Sequence, residues 1–203
     1  IVIGMLFFIT QDILIKLTIF DVSLLQILVI RATVGCLLLF IYLFYNRQEI
    51  NFGSSYPFVA IFRGSTFFFG FTMFYISLSK ISLAEATSLF FVSPFFITIY
   101  SYLILKIKIG LNRVFSIIVG FSGTLLIIKP DFNDLNIYML LPIITAATYA
   151  LSMTLAKKTA DKDSLFQQTF HIYLGAMLGG SIISLLIYNT NINIELLSIL
   201  NNP

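Results

Sequence analysis

Long apolar stretches separated by short polar clusters run through the whole chain. A helix of about 20 residues, rising about 1.5 Å per residue, crosses a hydrocarbon core of about 30 Å. Backbone polar groups in lipid must be satisfied within their own segment, so helices are the elements to expect. The pattern predicts seven of them: from before Ile1 to about Phe20, then Ser23–Tyr45, Tyr56–Ser79, Ala84–Leu105, Val114–Ile128 (which needs 111–129 to span), Asn136–Leu155 and Leu165–Tyr188, with the start of an eighth at Ile194.

Two local signals mark the predicted segment Ala84–Leu105. Ser82 and Glu85 have the Ser-x-x-Glu spacing of a capping box, in which each side chain binds the backbone N–H of the other residue. The helix is therefore expected to begin there. Pro94 lies well inside the segment, where a proline removes a backbone donor. We expect a kink at Pro94, or a polar opening beside Ser93.

The composition excludes an ordinary soluble domain and predicts an all-α integral membrane protein. Hydrophobic residues make up 59% of the chain, charged residues only 10%, and the mean hydropathy is +0.99. The isoelectric point near 9.0 does not indicate nucleic-acid binding, because the 12 basic residues are spread over the loops. The single cysteine, Cys36, cannot form an internal disulfide, and the sequence has no Cys/His cluster. We expect neither a metal nor a cofactor.

The basic residues predict the orientation of the helices. The loops alternate between the two sides of the membrane, and those on one side are rich in basic residues: Arg47, Lys106, Lys108, Arg113, Lys157, Lys158 and Lys162. We call this the favoured side; the loops on the opposite side hold only Lys80 and Lys129. By the positive-inside rule, the favoured side faces the cytoplasm, and so does the amino terminus.

Ionisable residues inside membrane helices are costly, so each is a candidate for function. Asp12 lies about nine residues, or roughly 13 Å, from the outer end of the first helix, close to the midplane. It either pairs with Lys16, one turn along the same helix, or meets Arg31 of the second helix.

Arg63 and His171 each allow two interpretations. Arg63 either extends to the interface or joins Arg31 in binding a carboxylate or another anion. A cationic ligand would instead need Asp12 and Glu85, although the capping position already accounts for Glu85. His171, the only histidine, either transfers protons, because its pKa lies near neutral pH, or binds a neighbour.

Aromatic and small residues have mainly a packing role. One face of the run Phe67–Tyr75 can line a cavity, and Tyr75 and Tyr100 are the residues that we expect to do so. Small residues let helices approach closely, within one subunit or between the two copies of a homodimer. They recur at helical spacing at Ser116, Gly120 and Thr124, and at Gly175 and Gly179.

The stretch LAEATSLFFVSPFFITIYSYLILKIKIGLNRVFSIIVGFSGTLLIIKP, from Leu83 to Pro130, resembles the EamA domain of the drug/metabolite transporter superfamily. Its Leu-Ala-Glu-Ala-Thr opening, internal Ser-Pro, basic turn and final Gly-x-x-Leu-x-x-x-x-Pro carry the resemblance, which extends upstream through Arg63-Gly64. One departure is that Lys106 and Ile107 stand where the family usually has Gly-Glu. No role of that glutamate can be carried over.

The resemblance implies ten helices in two inverted five-helix halves. The chain would then be partial, with the first repeat at 1–131 and the start of the second at 132–203. A weak internal likeness between Leu24–Gln26 and Leu165–Gln167 agrees with this arrangement, but such likeness also arises by chance between apolar segments. Inverted repeats are typical of secondary transporters, which bind a small molecule between the repeats and expose it to each side in turn. The resemblance also implies the bacterial inner membrane.

The first two helices, with Asp12, Lys16 and LLQILVIR ending at Arg31, are similar to the branch that includes S-adenosylmethionine uptake carriers. Drug or metabolite efflux and a non-transporting membrane partner subunit are the alternatives. A membrane enzyme is disfavoured, because one histidine, one cysteine and scattered carboxylates form no catalytic cluster. The substrate-binding residues that we predict are Asp12, Arg31, Arg63, Tyr75, Ser93, Pro94, Tyr100 and His171.

Overall fold

A computed structural model of the 203-residue chain describes residues 2–18, 22–46, 51–128 and 137–190. These residues form eight α-helices and one short 3-10 turn, Ile137–Met139. The helices are α1 (Val2–Thr18), α2 (Leu24–Tyr45), α3 (Pro57–Leu78), α4 (Leu83–Phe90), α5 (Ser93–Leu105), α6 (Leu111–Ile128), α7 (Leu140–Thr159) and α8 (Leu165–Thr190).

The predicted all-α membrane architecture is confirmed. Each of the seven predicted helices is present, with ends close to those expected from the hydrophobic pattern. By length and composition, four helical segments of the described ranges can cross a membrane: Leu24–Tyr45, Pro57–Leu78, Leu83–Leu105 and Ile137–Thr159. The proposed repeat boundary at Asp131 and the helix start at Ile194 lie outside the described residues.

The predicted break at Pro94 divides one membrane segment into α4 and α5. The helix stops at Phe91, and a new helix starts after Val92 with the proline in its first turn. Proline is tolerated in a first turn, because its missing N–H would have no helical partner there. Ser93 is buried beside this break.

The capping box at the start of α4 is also confirmed. The backbone N–H of Glu85 donates to Ser82 Oγ at 3.2 Å, and the backbone N–H of Ser82 donates to Glu85 Oε2 at 2.8 Å. Two of the unpaired donors of the helix start are thereby satisfied.

Replacing Ser82 with alanine is expected to lower the free energy of unfolding by about 1 kcal/mol, the usual cost of losing a serine cap. Thermal unfolding of the purified protein in detergent checks this. Ser65→Ala is a matched control, because the Ser65 hydroxyl is exposed and bonds only the Ile61 carbonyl within its own helix. An equal loss in both variants would contradict a capping role.

Helix α3 is the centre of the bundle, with 12 of its 22 residues buried. It contacts α7 and α8 most extensively and also touches α1 and α4. Phe71 and Tyr149 pack edge to face at 6.4 Å between ring centroids, which joins α3 to α7. Thr145 of α7 adds a hydrogen bond to the Gly70 carbonyl at 2.7 Å. The helices that carry the candidate functional residues are therefore packed around α3.

Glycines set the crossing of α3 and α8. A Cβ placed on Gly175 would lie 2.7 Å from Gly64 Cα, and a Cβ on Gly64 would lie 2.7 Å from the His171 carbonyl oxygen. These obstacles are backbone atoms, which cannot rotate away. The close approach expected at Gly175 is thus confirmed, whereas a Cβ on Gly120 of α6 would meet no atom of another element within 4 Å.

Candidate functional site

A polar network joins three helices at one end of the bundle. The Tyr75 hydroxyl of α3 accepts hydrogen bonds from Arg31 Nη1 of α2 at 2.7 Å and from Gln11 Nε2 of α1 at 3.1 Å. It donates to Asp12 Oδ1 of α1 at 3.2 Å. Tyr75 is fully buried and Asp12 is 5% exposed. The tyrosine thus links an acid and a base in a low-dielectric setting, where unpaired charge is costly.

Of the two partners considered for Asp12, Lys16 and Arg31, the structure connects Asp12 to Arg31, through the Tyr75 hydroxyl. Lys16 instead donates to the main-chain carbonyls of Leu78 and Ile81, the latter at 2.7 Å. These carbonyls lie at and just beyond the end of α3, where a cation satisfies acceptors that the helix leaves unpaired. Lys16 therefore fastens α1 to the end of α3.

The residues of the network lie within about two helical turns of the same end of the bundle. Tyr75 precedes the last residue of α3, Leu78, by only about one turn, or roughly 5 Å. Arg31 is about seven residues, or roughly 10 Å, into α2 from the same end.

A narrow cavity extends from Arg31 between α2, α3 and α8. The guanidinium carbon of Arg31 lies 5.9 Å from the centre of the Phe71 ring, a distance typical of cation–π contact. About 30 Å³ of the cavity is open to water-sized molecules, room for about two waters. A metabolite would need the helices to separate. The cavity is lined by Leu28, Arg31, Ala32, Phe67, Phe68, Phe71, Ile172, Tyr173 and Ala176.

Arg63 lies at the other end of α3 and is 3% exposed. Twelve helical positions separate it from Tyr75, which corresponds to roughly 18 Å along the axis. Its Nε donates to the Ser152 carbonyl of α7, and its Nη1 donates to Gln168 Oε1 of α8, each at 3.1 Å. Arg63 thus neither extends to the interface nor joins Arg31 in this conformation.

The same end holds a second set of contacts, between the 51–56 loop and the turn that joins α7 to α8. Asp163 accepts hydrogen bonds from the Ser54 hydroxyl and from the Ser55 backbone N–H, the latter at 2.8 Å. Gln167 Nε2 donates to the Gly53 carbonyl at 2.7 Å. Burial raises the pKa of the Asp163 carboxyl, but the hydrogen bonds from Ser54 and Ser55 outweigh it and hold that pKa below its ordinary value.

The other predicted site residues lie outside the Tyr75 network. Ser93 is buried at the break between α4 and α5, and Pro94 borders a groove against α6. The Tyr100 ring stacks on Phe96 of its own helix with 6.4 Å between centroids. His171 Nδ1 donates to the Gln167 carbonyl at 2.7 Å. A carbonyl only accepts, so Nδ1 carries the proton, and His171 is bonded to a neighbour as one of its two interpretations predicts; proton transfer by His171 stays a prediction.

Several residues of these polar networks are absent from the sequence-based predictions, and for some of them the sequence holds a signal. Gln11 is a polar residue inside an apolar helix, next to Asp12. Ser164 and Gln167 have the Ser-x-x-Gln spacing of a capping box, and the structure pairs them: Ser164 N–H donates to Gln167 Oε1 at 2.7 Å. The contact of Asp163 with Ser54 has no such signal, because more than one hundred positions separate the two residues.

In the part of the chain that the structure describes, no group of three His, Cys, Asp or Glu side chains is placed to hold a metal ion. The polar sites contain hydrogen-bonding groups instead.

Residues 1–129 match the model of the EamA-like transporter family. The S-adenosylmethionine uptake transporters of Rickettsia bellii (strain RML369-C) and Rickettsia prowazekii (strain Madrid E) are 32% and 30% identical to the chain over 128 residues, which is 63% of this chain and 43% of each relative. A riboflavin transporter of Vibrio cholerae serotype O1 is 34% identical over 90 residues, 44% of this chain and 30% of that relative. The chain thus matches less than half the length of these relatives, and no solved structure matches it.

Proposed function

Because the chain belongs to the EamA-like transporter family, we propose that it works as a secondary transporter of a small organic metabolite, moving its substrate by alternating access. The network that joins buried Asp12 and Tyr75 to half-buried Arg31 is the observation that supports a substrate site. Membrane helices retain buried ionisable groups mainly where they serve a function. The protein lies in the bacterial inner membrane, with its basic loops and its amino terminus on the cytoplasmic side.

The substrate carries both a carboxylate and an ammonium group, as the amino-acid part of S-adenosylmethionine does. Arg31 can bind a carboxylate with paired N–H donors, and Asp12 can accept an ammonium group. The Tyr75 hydroxyl lies between these two residues, 2.7 Å from Arg31 Nη1 and 3.2 Å from Asp12 Oδ1. The likeness to S-adenosylmethionine uptake transporters supports the same substrate class and the uptake direction.

Uptake into liposomes tests this function with the full-length protein. We expect accumulation of radiolabelled S-adenosylmethionine that unlabelled S-adenosylmethionine suppresses. Methylthioadenosine, which lacks the amino-acid group and the positive charge on sulfur, should compete at least about tenfold more weakly, the factor that corresponds to 1.4 kcal/mol of binding free energy. Tetraphenylphosphonium, a hydrophobic cation, should compete weakly as well.

Three results would contradict the proposal at different levels. Equal competition by methylthioadenosine would show that the protein does not recognise the amino-acid group. Preference for tetraphenylphosphonium would favour drug efflux with Asp12 as the main ligand. If neither these compounds nor riboflavin entered or left the liposomes, the partner-subunit alternative would replace transport.

A further inference from the structure

The contacts at the Arg63 end of α3 are built differently from ordinary helix packing. They join the 51–56 loop, before α3, to residues 161–168, after α7, so most of them connect parts of the chain more than one hundred positions apart. We name this set the end clasp. Its members are Gly53, Ser54, Ser55 and Arg63 on one side, and Asp163, Gln167 and Gln168 on the other.

Polar groups make most of the contacts in the end clasp. Asp163, 5% exposed, is its centre and accepts from two successive residues of the loop, Ser54 and Ser55. The stacking of Phe52 on Phe170, with 4.3 Å between ring centroids, adds an apolar contact beside these bonds. When the end opens, water replaces the protein partners in these bonds, so the net cost of breaking them is much smaller than their strength in isolation.

Two successive hydrogen bonds connect Arg63 to the backbone of Asp163 through the Gln168 side chain. Arg63 Nη1 donates to Gln168 Oε1, and Gln168 Nε2 donates to the Asp163 backbone carbonyl at 3.0 Å. The buried guanidinium is therefore connected to the turn that carries the Asp163 carboxylate. A movement of this turn would therefore reach α3 through two hydrogen bonds.

We propose that the end clasp is a gate: it closes this end of the bundle, and the end opens when Asp163 releases Ser54 and Ser55. The inference rests on the proposed alternating-access function, in which the two sides must open in turn. The cavity at Arg31, too small for a metabolite while the end clasp is closed, supports a closed conformation.

Ser152 provides a reporter for opening. It is fully buried on α7, and its carbonyl accepts from Arg63. Its hydroxyl is the one buried side-chain oxygen or nitrogen in the described ranges without a hydrogen-bond partner. Ser152→Cys therefore costs no hydrogen bond. Cys36→Ala removes the single native cysteine, so that the introduced thiol at position 152 is the only one in the chain.

The test measures how fast a membrane-impermeant maleimide labels the thiol at position 152 in the Cys36→Ala, Ser152→Cys protein. Adding Asp163→Ala should raise the labelling rate at least about tenfold. It removes the hydrogen bonds from Ser54 and Ser55 to a charged carboxylate, which are stronger than bonds between neutral groups, so the end should open more often. Tyr56→Phe is the matched control. It removes only the exposed contact of the Tyr56 hydroxyl with the Asp161 carboxylate, 3.2 Å to Oδ2 and 3.5 Å to Oδ1, and should leave the rate nearly unchanged.

Equal labelling rates with and without Asp163→Ala would overturn the gate. So would an equal increase in Tyr56→Phe, because any disturbance of the loop would then suffice. A thermal unfolding curve excludes labelling through unfolding: the midpoint of Asp163→Ala must lie above the labelling temperature. Ser54→Ala, which removes one of the two bonds, serves as a milder second variant and should give an intermediate rate. Labelling needs no substrate, so a wrong substrate class fails in the uptake assay and not here.

Discussion

Arg31→Gln is expected to lower S-adenosylmethionine uptake at least about tenfold. A hydrogen bond to a charged group contributes about 1.5–3 kcal/mol, and each 1.4 kcal/mol corresponds to a factor of about ten. Arg31 donates to the buried Tyr75 hydroxyl at 2.7 Å and lines the cavity at the same time. Its loss therefore removes both the partner of the network and the proposed carboxylate ligand. Initial uptake rates in liposomes measure the effect.

The same substitution also leaves Asp12 without its cation, so a loss of stability alone could lower uptake. The double variant Asp12→Asn, Arg31→Gln separates the two causes, because it removes both charges together. We expect it to unfold near the temperature of the parent protein and still to fail in uptake. Restored uptake in the double variant would show that the pair is structural. Lys108→Gln, which removes an exposed positive charge, should leave uptake unchanged.

The identity of the lost interaction can be determined with a substrate analogue. Decarboxylated S-adenosylmethionine lacks the carboxylate that Arg31 is proposed to bind. Parent protein should prefer S-adenosylmethionine over this analogue, and Arg31→Lys, which keeps the charge but not the paired donors, should retain part of the preference. If parent protein took up both compounds equally, the role assigned to Arg31 would be wrong.

Gly175→Ala is expected to lower the free energy of unfolding by about 1–3 kcal/mol, the usual cost of overpacking. The new methyl group would meet Gly64 Cα at 2.7 Å and Gly64 C at 2.8 Å, and backbone atoms can yield only if α3 and α8 separate. Such separation would also strain the neighbouring contacts of Arg63 with α7 and α8. Denaturant or thermal unfolding in detergent checks the prediction.

Gly123→Ala is the matched control for this effect. It makes the same chemical change in α6, where a Cβ would meet no atom of another element within 4 Å. Alanine favours a helix over glycine by about 0.5–1 kcal/mol, so this variant should be unchanged or slightly more stable. Equal destabilisation of the two variants would show that loss of glycine itself, rather than the α3–α8 crossing, sets the cost.

The helices and their ends could be predicted because their causes are local. Apolar length defines a membrane helix, the Ser82–Glu85 spacing defines the start of α4, and Pro94 lacks a donor wherever the chain goes. The same locality explains the neighbour bond of His171, since its partner carbonyl lies one helical turn earlier. Each of these features depends on residues within a few positions of one another.

The candidate site could be predicted only in part. Buried charge singled out Asp12 and Arg31, because lipid makes such residues costly in any fold. Their link through Tyr75, and the added bond from Gln11, depend on which faces of three helices meet. The hydropathy pattern does not contain that information.

By itself, then, the sequence determined an all-α membrane protein of the EamA-like transporter family, the break at Pro94 and the ionisable residues worth testing. Only the tertiary structure decided the partners. In that structure Lys16 donates to carbonyls at the end of α3, and Arg63 belongs to the end clasp. Gly175 packs against Gly64. The physical reason is the range of the interactions: caps and helices form between near neighbours, whereas a long side chain can reach any helix that packing brings close.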